Sequence, residues 1–527
     1  MIKSIWPLCL ILPFKSFSMR TGISIGLVLL LFVAQVSAQA LLETSTQAGK
    51  VKGIGNADRT VTSFKGIPFA APPVGDLRWR EPKPVKPWSG VLTCDQFSAS
   101  PMQNKPAPFA MWTEEFIAPP EPLSEDCLYL NVWTPAKSTK EKLPVLMWIY
   151  GGGFVSGSSA CAVYDGEALA KQGIIFVSIN YRVGVFGFFS HPDLTKESGK
   201  NASGNYALMD QLAALKWIKE NIAAFGGDPD KVTIAGQSAG SFSVQALVAS
   251  PLSKGLFRGA IAHSGASMGR FSKKLSDAEK TGLELSQKVK STSIEALRKL
   301  PADSVWKLAS TLPYGTFAPV IDGYVLPDDM GSIFKNKNHN DVALIAGWVT
   351  GDAALTGQPK SASEYKAWVK ETYKDKESQF LKTFPAGTDE EALQSQNKLG
   401  NLNFAGYADH VWALHNTSNS YLYQFSYVPT DKPGFQNYGA FHTSEVPFAL
   451  HTLAKWNRPW KETDYAVEQA MSSYWVNFVK TGNPNGKNLP EWKKYEASTQ
   501  SILELNSKPV LKPGLYKSEI QILDSMK

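Results

Sequence analysis

Six short stretches of the chain, residues 145–150, 174–180, 232–235, 259–263, 342–346 and 421–425, are apolar almost throughout and rich in β-branched and aromatic residues. A strand of that kind must be covered on both faces, which is the situation of a parallel strand inside an α/β sheet. Between the second and third stretches, Leu208, Leu212, Leu215, Ile218, Ile222 and Phe225 recur at steps of three and four, the period of one helix face, and Gly226-Gly227 supplies a stop. A second helix is predicted near 465–480, with Val467, Ala470, Met471, Tyr474, Trp475 and Phe478 on one side and "TGNPNG" breaking it. Both stripes read as packing surface. Strands alternating with helices predict an α/β fold with a mostly parallel central sheet covered by helices on both faces.

The chain of 527 residues is 43% hydrophobic and 19% charged, enough to bury a large core and too apolar for disorder. No linker, low-complexity run or repeat divides it, so residues 39–527 are expected to form a single domain. Residues 1–38 read as a signal peptide: Met19-Arg20 precedes an apolar stretch at 23–33 and the small-x-small pattern Val36-Ser37-Ala38. Met19 is the better start codon, because residues before it repeat the basic-then-apolar theme. The apolar stretch is shorter than the roughly 20 residues a membrane span needs, so export to the periplasm or cell exterior is expected rather than a stable membrane anchor.

The formal charge of +7 includes Lys3, Lys15 and Arg20 of the leader, and no dense basic cluster accompanies it, so nucleic acid is not expected as a partner. No feature specifies an oligomeric state. Of four cysteines, Cys9 lies in the leader. Export permits a disulfide, and Cys94 with Cys127 would close a Pro-rich loop worth about 3–4 kcal/mol in the chain-entropy picture; three buried free thiols are the alternative. Cys161 has no basic neighbour that would activate it.

"VTIAGQSAGSF" at 232–242 holds the chemistry-bearing feature, because Gly236-Gln237-Ser238-Ala239-Gly240 fits G-x-S-x-G with a predicted strand before it and a helix-compatible stretch after it. A nucleophile on so sharp a turn has a strained backbone, and glycines two residues to either side avoid the clashes that a Cβ would cause. The second feature is "WIYGGGFVSGSS" at 148–159. Three glycines after a strand bring backbone N–H groups close to a developing oxyanion, and the N–H groups of Gly152, Gly153 and Ala239 are the candidates. No Gly-Lys-Ser/Thr follows, so a phosphate loop is disfavoured.

Together with "FKGIPFAAPPVGDLRW", "SEDCLYLNVWTP", "VSINYRVGVFGF", "NYALMDQLAALKWIKENIAAFGGDP" and "MSSYWVNFVKTGNPNG", these motifs resemble the type-B carboxylesterase and cholinesterase family over nearly the whole mature chain. The resemblance implies the α/β-hydrolase fold and a serine, acid and histidine in that chain order. Ser238 carries over directly. Among the seven histidines only His442, in "GAFHTSEVPF", matches the family's late motif; His263 in "IAHSGAS" reads as structural and the others as surface positions. Where the family usually carries Glu, alignment of "AGWVTGDAALTG" on Gly347 places Asp352, with Glu445 the alternative because it lies near His442 in sequence.

The reaction so implied is transfer of an acyl group from a small-molecule ester to Ser238 and then to water, with no metal or organic cofactor. Gln237 stands where cholinesterase-like members usually carry Glu, and a neutral amide cannot stabilise a cation as a carboxylate can, so neutral esters are expected over choline esters. The Pro-rich aromatic segment 101–122 is expected to wall the substrate gorge. An amidase or peptidase would use the same triad, and some members of the family keep the fold as non-catalytic binding or adhesion proteins, usually without the serine.

Overall fold

The computed structural model describes residues 40–268, 272–289 and 293–526; the expected leader and Cys9 lie outside them. Among the described residues, eleven strands share one sheet. They are β1 (Ile54–Gly55), β2 (Thr62–Pro68), β3 (Tyr129–Thr134), β4 (Leu143–Ile149), β5 (Ile175–Ile179), β6 (Gly227–Gln237), β7 (Gly259–His263), β8 (Ala343–Val349), β9 (Ser420–Phe425), β10 (Ile502–Leu505) and β11 (Val510–Lys512). Their spatial order is β1-β2-β3-β5-β4-β6-β7-β8-β9-β10-β11.

Every pairing from β5 across to β10 is parallel, and the pairings outside that span are antiparallel. The six apolar stretches of the sequence all lie within the parallel part, and β5, β7 and β9 are buried along their whole length. Burial of each leucine-sized side chain there contributes about 1.5–3 kcal/mol. The edge strands β1 and β11 are only two and three residues long, which limits edge pairing with other chains.

Helices flank the sheet. α1 (Tyr206–Asn221) buries the predicted Leu208, Leu212, Leu215 and Ile218, and a 3₁₀ turn (Ile222–Phe225) carries the stripe to Gly226, whose φ of 81° reverses the chain. α2 (Ala239–Ala249) follows β6 directly and packs on β6 and β7. α3 (Asp389–Asn401) and α4 (Tyr407–His415) are joined by a π-helical turn (Leu402–Gly406). α5 (Glu462–Thr481) corresponds to the second predicted helix; it packs on β4 and β6 and ends at Gly482 with φ 76°. Among the described residues no helix is long and apolar enough to cross a membrane.

The expected Cys94–Cys127 bridge is absent: both cysteines, like Cys161, are free and buried. Cys94 Sγ lies 3.7 Å from the Leu92 carbonyl, whereas Cys127 sits at the start of β3 near the buried Arg182–Asp210 ion pair. Burial pushes the Cys94 and Cys161 thiols up to about 12 and the Cys127 thiol well above its ordinary value. Thiolates are therefore scarce at neutral pH. The folded protein is expected to resist Ellman's reagent, and denaturation without reductant should release three reactive thiols from residues 40–527; a yield of one would restore the bridge.

Candidate active site

The parallel strands end where the chemistry-bearing residues begin. β6 stops at Gln237, and Ser238, with φ 57° and ψ −124°, turns the chain into α2. A non-glycine residue at positive φ is costly and persists only where its surroundings hold it. Ser238 N donates to the His263 carbonyl at 2.9 Å, and its own carbonyl accepts from Phe242 N at 2.9 Å. The flanking glycines are sterically required, because a Cβ on Gly236 would lie 2.4 Å from the Gly240 carbonyl oxygen and one on Gly240 would lie 2.0 Å from that of Ile149. The side chain of Ser238 is thereby presented, half-buried, on the wall of a cavity of about 1560 Å³.

His442 lines the same cavity from a loop after β9. Its Nδ1 lies 2.6 Å from Asp352 Oδ1. Asp352 follows β8, and its second oxygen accepts from Val349 N at 3.2 Å. The acid loop is pinned on two sides. Gly351 N donates to the Ala440 carbonyl at 2.9 Å, while Asn401 accepts from Ala353 N at 2.7 Å and donates to the Thr350 carbonyl at 2.9 Å. With Nδ1–H given to the carboxylate, the ring's Nε2 is an acceptor. Gln237 Nε2 lies over the ring, 3.1 Å from Nε2 and 3.5 Å from Nδ1, and Ser238 Oγ makes no hydrogen bond to the ring among the described residues.

A layer of buried acid groups lies beneath the ring. Glu445, read from the sequence as the alternative acid, does not bond His442 but sits 3.5 Å from His263 Nδ1. Burial first, and the Asp352 charge second, push its carboxyl up to about 8. Asp409, on α4 and also buried, is pushed well above the carboxylate range by the same two causes. Burial thus raises both neighbours, while Asp352 is the carboxyl that bonds the His442 ring. His263 is a structural residue: Trp475 Nε1 donates to its Nε2 at 3.0 Å, and burial lowers it to about 3.

Gly152 and Gly153, with φ of 109° and 62°, border the cavity beside Ser238 and Ala239. The N–H groups of Gly152, Gly153 and Ala239 donate to no acceptor among the described residues. Residues 103–107, Phe109, Trp112 and 116–118 of the Pro-rich segment line the wall. No Asp or Glu stands among the lining residues.

Sequence reasoning placed His191, His339 and His410 on the surface, whereas all three are buried. It also missed the neighbours of the His442 ring. Trp112 and Phe404 meet it edge-on at 6.4 and 5.3 Å between centroids, and Trp112 Nε1 donates to Thr443 at 2.6 Å. Phe404 sits in the π-helical turn, and no local pattern announces that turn. Among the described residues no group of His, Cys, Asp and Glu could hold a metal ion.

A family model described as "Carboxylesterase family" matches residues 38–523. The fumonisin B1 esterase of Sphingopyxis macrogoltabida is 35% identical over 487 residues, covering 88% of this chain and 86% of that protein. The para-nitrobenzyl esterase of Bacillus subtilis is 34% identical over 481 residues, covering 88% and 94%. A solved PNB esterase superposes with a TM-score of 0.79 at 30% identity, covering 92% of this chain and 99% of that one.

The raised Glu445 carboxyl has a consequence for stability. In the unfolded chain the group ionises near its ordinary 4.5, but in the folded protein only near about 8. The folded state holds the extra proton between those values, so stability falls as pH rises through that window. Glu445→Gln removes this dependence. The thermal midpoint of the variant should gain on that of the wild type from about pH 5 to about pH 8; parallel curves would show that Glu445 ionises normally.

Proposed function

The chain belongs to the carboxylesterase family and is a carboxylic ester hydrolase, and from that premise we propose that it acts through an acyl-enzyme on Ser238 and prefers neutral esters. The observation that carries the reading is the 2.6 Å contact of Asp352 with His442, whose ring lines the same cavity as Ser238. In this reading Ser238 Oγ attacks the ester carbonyl as His442 Nε2 takes its proton. The tetrahedral oxyanion is received by the N–H groups of Gly152, Gly153 and Ala239; each such donor is typically worth about 3–4 kcal/mol of transition-state stabilisation. Collapse releases the alcohol, which takes the proton from the ring. Water, activated by the same ring, then frees the acid and restores the serine. Asp352 accepts the Nδ1 proton throughout and stabilises the imidazolium.

The neutral-ester preference is supported by Gln237 beside the nucleophile and by a wall without carboxylates. A choline-like cation entering this cavity would lose water without gaining a counter-charge. The fumonisin B1 and para-nitrobenzyl esterases among the relatives accord with non-choline substrates.

Purified enzyme is expected to hydrolyse p-nitrophenyl butyrate with kcat/KM at least about tenfold above that for butyrylthiocholine, and Ser238→Ala should abolish both turnover and labelling by a fluorophosphonate. A thiocholine preference would sink the substrate assignment, and undiminished turnover by the Ser238 variant would sink the mechanism. Asp352→Asn should lower kcat by about 10³–10⁴-fold, whereas Glu445→Gln should keep most of the activity. The opposite ranking would transfer the orienting role to Glu445.

A further inference from the structure

Thr443 directly follows His442 and has a φ of 82°. Ser444 N donates to the Phe441 carbonyl at 2.9 Å, which closes a four-residue turn with His442 and Thr443 as its central pair. At such a φ the third position of a turn selects glycine, and a β-branched residue there is strained. What threonine supplies and glycine lacks is a hydroxyl. Its Oγ1 accepts from Trp112 Nε1 at 2.6 Å and donates to the carbonyl of His442 itself. Thr443 is buried and Trp112 half-buried, and both line the cavity that Ser238 lines.

Trp112 is a firm mount for this contact. Its backbone exchanges hydrogen bonds with Phe109 in both directions, at 3.0 and 3.1 Å, and its ring meets the His442 ring edge-on at 6.4 Å between centroids. Farther along the same segment, Phe116 packs edge-on against Phe441 at 6.2 Å between centroids. The Pro-rich wall therefore grips the residues on both sides of His442. His442 itself is carried on a loop after β9, where no strand register fixes it.

We propose that Thr443 and Trp112 are positioning residues whose hydrogen bond latches the His442 loop to the cavity wall and so holds the ring for proton exchange with Ser238. The proposal rests on the acyl-enzyme reading above. Strain of this kind collects at functional sites, and here the turn keeps a strained threonine because its hydroxyl ties the peptide carbonyl beside the ring to the wall.

The test compares wild type, Thr443→Gly, Thr443→Ser, Trp112→Phe and the W112F/T443G double variant by kcat and KM for p-nitrophenyl butyrate and by the second-order rate of fluorophosphonate labelling. T443G removes the strain together with the hydroxyl, so the enzyme should stay folded at the assay temperature while kcat and the labelling rate fall about tenfold or more with KM little changed. T443S keeps the hydroxyl and should keep the wild-type kcat. W112F keeps an aromatic ring without the N–H, and its labelling rate should fall by a factor similar to that of T443G. In the double variant the two losses should not multiply, because both remove one contact. A T443G enzyme with wild-type kcat overturns the proposal. A T443S loss as large as that of T443G does so too, as does a double variant whose loss is the product of the two single losses. The T443G and T443S pair remains decisive if W112F fails to fold. Labelling of Ser238 in the wild type checks the underlying reading separately, since its absence would remove the acyl-enzyme assignment itself.

Discussion

The hydrogen bond between Asp352 and His442 ties the two halves of this site together, and it depends on where the negative charge sits. Three carboxyl groups, Asp352, Asp409 and Glu445, are buried within electrostatic reach of one another. Three charges in so small a volume of low dielectric would repel strongly, and burial alone penalises each one. Only Asp352 meets donors among the described residues, the His442 ring and Val349 N, while burial and the Asp352 charge raise the other two carboxyls. The ring's orientation follows from the Asp352 contact.

The sheet delivers these parts by a geometric rule of open α/β folds, in which ligands gather outside the carboxyl ends of the parallel strands. Ser238 follows β6 and Asp352 follows β8, while His442 comes from the longer excursion after β9. Only the first two positions are set by strand register; the third is held by side-chain and loop contacts, among them Gly351 N on Ala440 and Trp112 on Thr443. The placement of the ring, with the Gln237 amide against it, belongs to this third member.

Much of this was legible in the sequence because it follows from local rules. The parallel strands were visible as unbroken apolar runs, α1 and α5 as periodic stripes with glycine stops, and the strand-to-helix turn as a serine between obligatory glycines. Asp352 and His442 came from a family pattern rather than from spacing, since no periodicity links positions ninety residues apart. The strands toward the two edges of the sheet, β1, β2, β3, β10 and β11, escaped notice because their composition is mixed. The state of Cys94 and Cys127 was misread for a related reason: a bridge needs two side chains brought together in space, which neither their separation nor the proline content of the loop between them ensures. Asn401, Phe404 and Asp409 reach the site only through tertiary packing.

The π-helical turn at Leu402–Gly406 sits between Asn401, which clamps the acid loop, and Asp409, with Phe404 against the ring in its midst. Such a turn accommodates one residue more than an α-helical turn, and each residue of an ordinary helix advances about 100° around the axis. Loss of a single codon there would restore regular winding and swing α4 through that angle, carrying Asp409 away from its buried side. Substitution in this stretch alters one contact at a time, but a change of length resets the phase of everything downstream. The spacing between Asn401 and Asp409 is therefore a structural constant that a lineage can keep or abandon but cannot drift through.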